Sequence, residues 1–366
     1  MNESILKSEE KAILELRSLY RSYGYLPFKM SKFEEYDLYV RNKDFLISDG
    51  IITFNDTNGK LMALKPDVTL SIVKNAAGEV GCKQKYCYDE NVYRISGSTH
   101  QYKELMQAGL ECIGDIDLYD ILEVINLAVE SLSLLSDDYI LAISHPGILS
   151  AVLDSEKVSD GVRSEIIACF AEKNKHDLIK LCERESLSPA LTATLSELIG
   201  IYGEPAEAVE RIKSLCGDAA AEAADKLGQL IALLSDSKHA GRLKIDTSLV
   251  STSDYYGGFI FKGFLSGACE SVLTGGQYGK LLRRMGRRSD AVGFAIYLDR
   301  LELLEKNQPE YDVDVLLLYS EETDVSAVAK KTAALTASGK SVSAQKAIPS
   351  KLRAKEIIDL TGGDKK

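Results

Sequence analysis

The sequence predicts an α+β protein in which an antiparallel sheet is flanked by helices and interrupted by a helical insertion. Strand-like runs separated by turn signals occupy much of residues 1–146, and strand signals return in residues 241–306. Between them, residues 147–240 are rich in Ala, Leu, Glu and Lys, which is typical of short helices. No Gly-x-Gly-x-x-Gly motif follows a predicted strand and no Walker-type loop is present, so a doubly wound nucleotide-binding fold is not expected.

The elements of the first part follow from hydrophobic spacing. Residues 3–23 carry apolar side chains at helical intervals and are followed by Gly24, so we expect an amphipathic helix there. A long apolar-periodic helix is expected at residues 117–135. The strand signals of this part lie at residues 51–54, 61–64, 86–95 and 106–114. The polar run at residues 55–59 joins the first two strands and predicts a hairpin.

The last part of the chain returns to strands and then becomes α/β. Its strand signals lie at residues 243–264, 268–274, 291–298, 313–319 and 341–344. A helix is expected at residues 325–337, between the last two of these strands. We therefore expect a core of residues 1–146 and 241–306, a helical insertion of residues 147–240, and a short α/β domain of residues 307–366.

The composition is that of an ordinary globular protein. Of the 366 residues, 45% are hydrophobic and 27% are charged. No apolar run reaches the ~18–20 residues of a membrane span, and the first residues do not resemble a signal peptide. The seven cysteines form no Cys-x-x-Cys pair and the four histidines show no ligand spacing to them, so no metal and no cofactor are expected. Free thiols fit a reducing compartment, so we expect a cytoplasmic protein.

Four separated segments carry the functional pattern. They are residues 64–69 (Leu-Lys-Pro-Asp-Val-Thr), residues 92–94 (Val-Tyr-Arg) continued by residues 107–111 (Gln-Ala-Gly-Leu-Glu), residues 254–263 (Asp-Tyr-Tyr-Gly-Gly-Phe-Ile-Phe-Lys-Gly), and residues 275–278 (Gly-Gly-Gln-Tyr) continued by residues 291–295 and 299–301. In this order they resemble elements of histidyl-tRNA synthetase-like proteins. The resemblance covers about residues 1–305 and implies a class II aminoacyl-tRNA synthetase-like core.

The resemblance also implies a pocket for an amino acid. The candidate histidine-binding residues are Asp67, Thr69, Arg94, Gln107, Glu111, Tyr255 and Tyr256. Their acidic and amide groups would accept hydrogen bonds from an α-ammonium group, which must be paired when it is buried. Tyr255 or Tyr256 would offer ring surface and a hydroxyl to an imidazole. A plainer alternative makes Gln107 and Glu111 two strand residues on one sheet face and the tyrosines core aromatics.

Departures from the family pattern oppose catalysis. Arg94 and Arg300 match the two class-defining arginines, which in a synthetase clamp ATP phosphates through a planar fork of donors. However, Ser251 stands at the position of the family's catalytic arginine, and Ser96 stands at the acidic position that contacts adenine. Loss of one preorganised stabilising group typically costs ~3–4 kcal/mol of transition-state stabilisation. We therefore expect no catalytic residues, and only a vestigial phosphate site at Arg94 and Arg300.

One branch of the family combines such departures with a lysine in the Leu-Lys-Pro-Asp-x-Thr segment, namely the regulatory subunits of ATP phosphoribosyltransferase. Resemblance to that branch implies a non-catalytic chain that assembles with a short-form catalytic subunit. It would activate the first step of histidine biosynthesis and make it sensitive to histidine as effector. The resemblance also implies a homodimer within the hetero-oligomer, paired through a motif 1 helix and strand that residues 27–40 should supply. Residues 311–366 resemble a truncated anticodon-binding domain.

Two alternatives stay open on the sequence alone. Arg94 and Arg300 favour a working histidyl-tRNA synthetase, which Ser251 opposes. A non-catalytic synthetase-like module that binds RNA or a kinase is the other. The net charge of −11 opposes RNA binding because basic groups dominate nucleic-acid affinity, so we expect neither a nucleic acid nor a membrane partner. The sequence does not decide whether histidine binds in the pocket or at the contact with the catalytic subunit, nor whether ATP still binds.

Overall fold

The computed structural model describes residues 8–42, 50–76, 82–96, 99–250, 256–302 and 310–361. The chain folds into two compact units, which comprise residues 1–304 and residues 305–366. The first unit contains a nine-stranded sheet and a three-stranded sheet, and the second contains a further three-stranded sheet. The finer boundaries between core and insertion at residues 147 and 240 stay a prediction.

Many helices and strands of the first unit lie close to the predicted positions. Its helices are α1 (Ser8–Ser22), α2 (Tyr36–Arg41), α3 (Val68–Asn75), α4 (Leu118–Leu135), α5 (Gly147–Ser155), α6 (Asp160–Ala171), α7 (Lys175–Arg184), α8 (Pro189–Leu198), α9 (Pro205–Cys216), α10 (Ala221–Leu234), α11 (Gly279–Arg284) and α12 (Asp299–Glu302). Its strands are β1 (Leu26–Pro27), β2 (Phe33–Glu35), β3 (Thr53–Asn55), β4 (Leu61–Leu64), β5 (Gln84–Ile95), β6 (Tyr102–Gly114), β7 (Tyr139–Ser144), β8 (Tyr202–Gly203), β9 (Leu243–Asp246), β10 (Ile260–Leu265), β11 (Leu273–Gln277) and β12 (Asp290–Tyr297). The predicted hairpin, now β3 and β4, and the predicted long helix, now α4, are confirmed. In contrast, β7, α3 and α11 were not predicted, and β11 begins later than the predicted strand at residues 268–274.

The large sheet has the strand order β1-β5-β6-β12-β11-β10-β7-β9-β8. All neighbours from β5 to β7 in this order pair antiparallel. The β1–β5 and β7–β9 pairs are parallel, because in each case the chain makes a long crossover before it returns to the sheet. The predicted α+β class is confirmed, with the correction that the sheet is mixed toward its edges.

One face of the large sheet is covered by α1 and α4. Leu110 and Cys112 of β6 lie in the same apolar core as Leu16 of α1, and all three are fully buried. α4 begins with a capping box, in which the side chains of Asp117 and Asp120 each accept a hydrogen bond from the other's backbone amide. Because successive strand residues point to opposite faces, the alternate residues of β6 face away from this core.

A second core lies on the opposite face of the central strands. It contains fully buried side chains from α2, α3 and α11, namely Tyr39, Leu70, Ile72, Leu281 and Leu282. The antiparallel sheet β2-β4-β3 contributes to it as well, through the buried Ala63. The elements that surround the cleft described below are therefore held in place by apolar packing.

Helices α5–α10 connect the neighbouring parallel strands β7 and β9, apart from the short β8. Each helix buries apolar residues in the core that also contains α1 and α4; examples are Ile166, Phe170, Leu195, Ile212 and Leu230. The helical content predicted for residues 147–240 is thus confirmed. Among the described residues, no helix is long and apolar enough to cross a membrane.

The second unit consists of β13 (Val313–Leu318), α13 (Val325–Ala337), β14 (Val342–Gln345) and β15 (Ala354–Asp359). Its strands pair in parallel in the order β14-β13-β15, and Val315, Leu316 and Leu317 of the central strand are buried. The two predicted strands and the predicted helix are confirmed. β15 was not predicted, because it is mostly exposed and mixes Lys and Glu with Ile. Its strand conformation depends on pairing with β13.

Candidate functional site

A polar cleft of about 400 Å³ opens on the face of the large sheet opposite α1 and α4. The residues that line it are Asp67, Thr69, Tyr88, Arg94, Gln107, Glu111, Tyr256, Thr274, Tyr278, Gly293, Phe294, Ala295 and Tyr297. They come mainly from β5, β6, β11, β12 and the start of α3. All candidate histidine-binding residues except Tyr255 are among them. Tyr255 and Ser251 lie outside the described residues.

Glu111 is the buried acidic group at the base of this cleft. It lies on β6, and only 2% of its surface is exposed. The Thr69 hydroxyl donates a hydrogen bond to its Oε1 at 2.8 Å, and the Tyr278 hydroxyl donates one to its Oε2 at 2.5 Å. Burial raises the pKa of Glu111 to about 8, although both hydrogen bonds favour the ionised form. The carboxyl is therefore mostly protonated at neutral pH, and a cationic ligand would favour its ionisation.

Two glycines make room for groups of the cleft. Gly293 of β12 pairs with Glu111 in register, and a Cβ atom there would overlap Glu111 Oε2. A Cβ atom on Gly276 of β11 would lie 2.5 Å from the ring of Tyr256. Since the interior is close-packed, any larger residue at either position would displace the carboxyl or the ring.

The start of α3 brings Asp67 and Thr69 to the cleft. Asp67 is the N-cap residue, and its side chain accepts a hydrogen bond from the Leu70 amide at 2.9 Å. Burial raises the pKa of Asp67, while this amide and the charge of Arg94 act in the opposite direction. Arg94 Nε donates a hydrogen bond to the Pro66 carbonyl at 3.0 Å. This contact ties β5 to the loop that begins α3, so Arg94 and the two α3 residues are positioned together.

Lys65 does not line the cleft, although it distinguishes the Leu-Lys-Pro-Asp-x-Thr segment. Its side chain is fully buried, and its Nζ donates a hydrogen bond to Glu90 Oε2 at 2.9 Å. Burial lowers the pKa of Lys65, and the charge of Glu90 opposes this change. The pair joins the residue after β4 to β5, so we assign Lys65 a structural contact rather than a ligand contact.

Arg300 lies beside the cleft but not in its lining. Its guanidinium stacks over the ring of Tyr297 at 4.3 Å from the centroid, donates to the Ser271 carbonyl, and pairs with Glu270 at 2.9 Å. Burial raises the pKa of Asp299, and the charges of Arg300 and Arg94 both oppose this shift. The guanidinium of Arg300 is therefore engaged by neighbouring protein groups. The phosphate site expected at Arg94 and Arg300 stays a prediction.

Sequence reasoning missed six side chains of the lining, namely Tyr88, Thr274, Tyr278, Phe294, Ala295 and Tyr297. The Gly-Gly-Gln-Tyr segment contains Tyr278, so a closer reading of that motif would have found it. Tyr88 lies opposite Gly109, and Tyr297 lies opposite Gln107, so both share the face of Glu111. Finding them required the register between distant strands, which the sequence does not supply.

Other features singled out in the sequence lie away from the cleft lining. Ser96 lies in the turn after β5, where its hydroxyl accepts a hydrogen bond from the Thr99 amide at 3.3 Å. His145 packs edge-on against Phe259, with 4.8 Å between the ring centroids, and burial lowers its pKa to about 4. Within the described ranges of the chain, no group of His, Cys, Asp and Glu side chains could hold a metal ion.

Comparisons with known proteins find relatives in sequence and in fold. The family model for histidyl-tRNA synthetase matches residues 2–301. An ATP phosphoribosyltransferase regulatory subunit of Alkaliphilus metalliredigens is 29% identical over 327 residues, covering 86% of this chain and 82% of that protein. The ATP phosphoribosyltransferase regulatory subunit/histidyl-tRNA synthetase from Bacillus halodurans has a TM-score of 0.78 at 24% identity, covering 97% of this chain and 94% of that chain. A chain of the ATP phosphoribosyl transferase (HisG:HisZ) complex from Thermotoga maritima has a TM-score of 0.63 at 21% identity, and the match covers 78% of this chain and 96% of that chain.

The fold defines the class of protein, which is a class II synthetase-like core, and the cleft of this core has the buried acid Glu111 at its base. The chain belongs to the histidyl-tRNA synthetase family, because the family model matches most of its length. Within that family it is a regulatory subunit of ATP phosphoribosyltransferase, in histidine biosynthesis, as the motifs predicted. The predicted class II synthetase-like fold is confirmed as well.

Proposed function

We propose that this chain binds the catalytic subunit of ATP phosphoribosyltransferase, activates it, and imposes feedback by histidine bound over Glu111. The observation that carries the proposal is the buried Glu111 carboxyl, which Thr69 and Tyr278 hold at the base of the cleft. The name of the Alkaliphilus metalliredigens relative supports the partner. Condensation of ATP with phosphoribosyl pyrophosphate then takes place on the catalytic subunit. In this proposal the chain works in the cytoplasm and supplies no catalytic group and no cofactor.

Each part of histidine meets a group of suitable chemistry in this proposal. The α-ammonium group lies against Glu111 and Gln107, whose oxygens accept its hydrogen bonds, and its charge ionises the carboxyl. The α-carboxylate lies toward Arg94, a cation of the cleft lining that can donate two parallel hydrogen bonds. The imidazole packs against the ring of Tyr256. Tyr255 stays a predicted contact from the same segment.

Feedback requires that histidine bind the inhibited arrangement of the complex more tightly than the active one. Typical coupling free energies of about 1–3 kcal/mol correspond to ~5- to 150-fold differences in affinity. Because linkage is reciprocal, assembly into the active arrangement weakens histidine binding by the same factor. Histidine titrations of the free chain and of the complex would therefore measure this coupling directly.

The sequence left a working histidyl-tRNA synthetase open as an alternative, and Arg94, on which that alternative rests, lines the cleft. Two observations favour the regulatory function. The guanidinium of Arg300 is engaged by the Ser271 carbonyl and Glu270, and a serine stands at position 251. Histidine-dependent pyrophosphate exchange by this chain alone would support the synthetase instead.

The proposal includes a homodimer, for which the structure offers an apolar face. Phe33 of β2 and Phe54 of β3 contact each other edge-to-face, with 5.7 Å between the ring centroids. They lie on the exposed side of the sheet β2-β4-β3, and 49% of Phe33 and 38% of Phe54 are exposed. β2 and α2 fall within or next to residues 27–40, the segment expected to pair. Sedimentation should show dissociation for Phe33→Ser but not for the control Leu233→Ser on α10, where Leu233 is also 49% exposed.

The activity of the catalytic subunit, measured with and without this chain across a histidine titration, tests the proposal. We expect activation that histidine reverses. Glu111→Ala should raise the inhibitory histidine concentration by about tenfold or more without abolishing activation, because a charged hydrogen bond is lost. Absence of activation by the wild-type chain would refute the regulatory function. Unchanged inhibition in Glu111→Ala would show that histidine binds elsewhere.

A further inference from the structure

A strongly basic surface follows the cleft residue Tyr278 in the chain. Residues 280–288 read Lys-Leu-Leu-Arg-Arg-Met-Gly-Arg-Arg, five cations without an acid in a chain of net charge −11. They form most of α11 and the turn after it. Leu281 and Leu282 are buried in the second core, whereas the cations Lys280, Arg283, Arg284 and Arg288 are exposed. We call these four exposed cations the basic ledge.

We propose that the basic ledge docks on an acidic surface of the catalytic subunit. The inference rests on the proposed function and names the surface through which this chain would bind the catalytic subunit. Arg283 and Arg288 form no ion pair with any other described residue, so both guanidinium groups can pair with a partner protein. Clustered like charges repel one another, which makes them unfavourable unless a partner of opposite sign compensates.

The ledge is attached to the cleft at two points. Tyr278 immediately precedes α11, and its hydroxyl donates to Glu111 Oε2 at 2.5 Å. At the other end, Arg287 donates to the carbonyls of Ala76 and Lys74, at the end of α3. α3 also carries Thr69, which donates to Glu111 Oε1. The two residues that donate to Glu111 therefore lie next to the basic ledge in the chain, as Tyr278 does, or on the helix that Arg287 contacts, as Thr69 does.

This arrangement couples histidine binding at Glu111 to the basic ledge. A ligand that ionises Glu111 changes the hydrogen bonds that Tyr278 and Thr69 donate to it. This change biases the position of α11 relative to the sheet. Coupling between two sites requires an element whose equilibrium both ligands bias, and α11 fits this requirement. The exposed charges of that element are then the natural contact for the partner.

An acidic protein surface fits the ledge better than a nucleic acid does. Proteins that grip duplexes typically neutralise about 6–10 phosphates, whereas the ledge has four exposed cations and the rest of the chain is acidic. A short basic surface suits the rim of a protein interface, where charge complementarity sets the association rate and the register.

Charge reversal with a matched control tests the inference. Arg283→Glu with Arg288→Glu should weaken binding of the full chain to the catalytic subunit by about tenfold or more at roughly 50 mM salt. The loss should shrink at roughly 500 mM salt, because the charges are screened. Lys330→Glu with Lys331→Glu makes the same change in net charge at two exposed neighbours on α13, and its affinity should stay within about twofold of wild type. Histidine binding to the free chain should be unchanged in both variants.

The outcomes separate this inference from the proposed function. Equal affinities of the two double variants, whether reduced or not, overturn the docking surface. If the wild-type chain does not bind the catalytic subunit at either salt concentration, the proposed function fails and the inference fails with it. Salt-sensitive binding of a single-stranded RNA probe that only the Arg283/Arg288 variant loses would assign the ledge to nucleic acid and overturn the proposal. Circular dichroism and thermal melting confirm that each variant is folded before its affinity is interpreted.

Discussion

The two faces of β6 bury different chemistry and therefore contribute differently to the protein. Leu110 and Cys112 face the core with α1 and α4, whereas Gln107 and Glu111 face the cleft, and none of the four is more than 3% exposed. Burial of an apolar side chain stabilises the fold. Burial of a carboxyl opposes folding unless partners compensate. One strand thus carries stability on one face and a binding site on the other, and the unfavourable burial of Glu111 points to a ligand.

The largest expected effect lies on the apolar face. Leu110→Ala should lower the free energy of unfolding by about 3 kcal/mol, because it removes buried methyl groups and leaves a cavity. Denaturant titration measures this loss. The histidine affinity of the folded variant should equal that of the wild type. If affinity falls together with stability, the two faces of β6 are not independent.

On the polar face we expect the reverse pattern. Gln107→Leu keeps the approximate size of the side chain but removes its hydrogen-bonding groups, so histidine should bind about tenfold more weakly. Its free energy of unfolding should stay within about 1 kcal/mol of wild type, since no cavity forms and no charge is buried. Calorimetric titration and denaturant unfolding measure the two quantities. Unchanged histidine affinity in this variant would remove Gln107 from the binding site.

The ionisation of Glu111 should make histidine binding depend on pH. With a pKa of about 8 before binding, the carboxyl is mostly protonated at pH 7, and an α-ammonium group binds best to the ionised form. Affinity should therefore rise by about fivefold between roughly pH 7 and pH 8, in proportion to the ionised fraction. Glu111→Gln is the control, because it keeps the titration of the ligand and of Asp67 but removes this group. Identical pH profiles for the two proteins would contradict the prediction.

The smallest expected effect concerns a single hydroxyl. Tyr278→Phe keeps the ring but removes the donor that favours ionised Glu111, so the pKa of Glu111 should rise further. Histidine affinity at pH 7 should fall by about threefold, and the pH profile should move to higher pH. Tyr20→Phe is the matched control, because Tyr20 is a buried tyrosine whose hydroxyl contacts Ser131 on the other face. An equal shift in both variants would show a general effect of lost hydroxyls.

Local signals predicted those elements whose ends are determined by neighbouring residues. Asp117 caps α4, and the polar run at residues 55–59 turns the chain between β3 and β4, so both predictions held. Positions that depend on pairing between distant strands could not be predicted. Tyr88 and Tyr297 enter the cleft only because β5 and β12 flank β6 in the observed register. The parallel pairs at the edges of the sheet and the strand β15 depend on tertiary pairing in the same way.

The contact between Gly293 and Glu111 also limits how the effector can be changed by evolution or by engineering. Every side chain at position 293 would collide with Glu111, the acid that would recognise the amino group. Position 293 must therefore stay glycine for this recognition to be kept. Thr274 and Ala295 pair in register and also line the cleft, and neither of them is fully buried. Substitutions at these two positions could therefore change which amino acid binds, while the recognition of the amino group by Glu111 is retained. Such variants would be the starting point for a biosensor of a different amino acid.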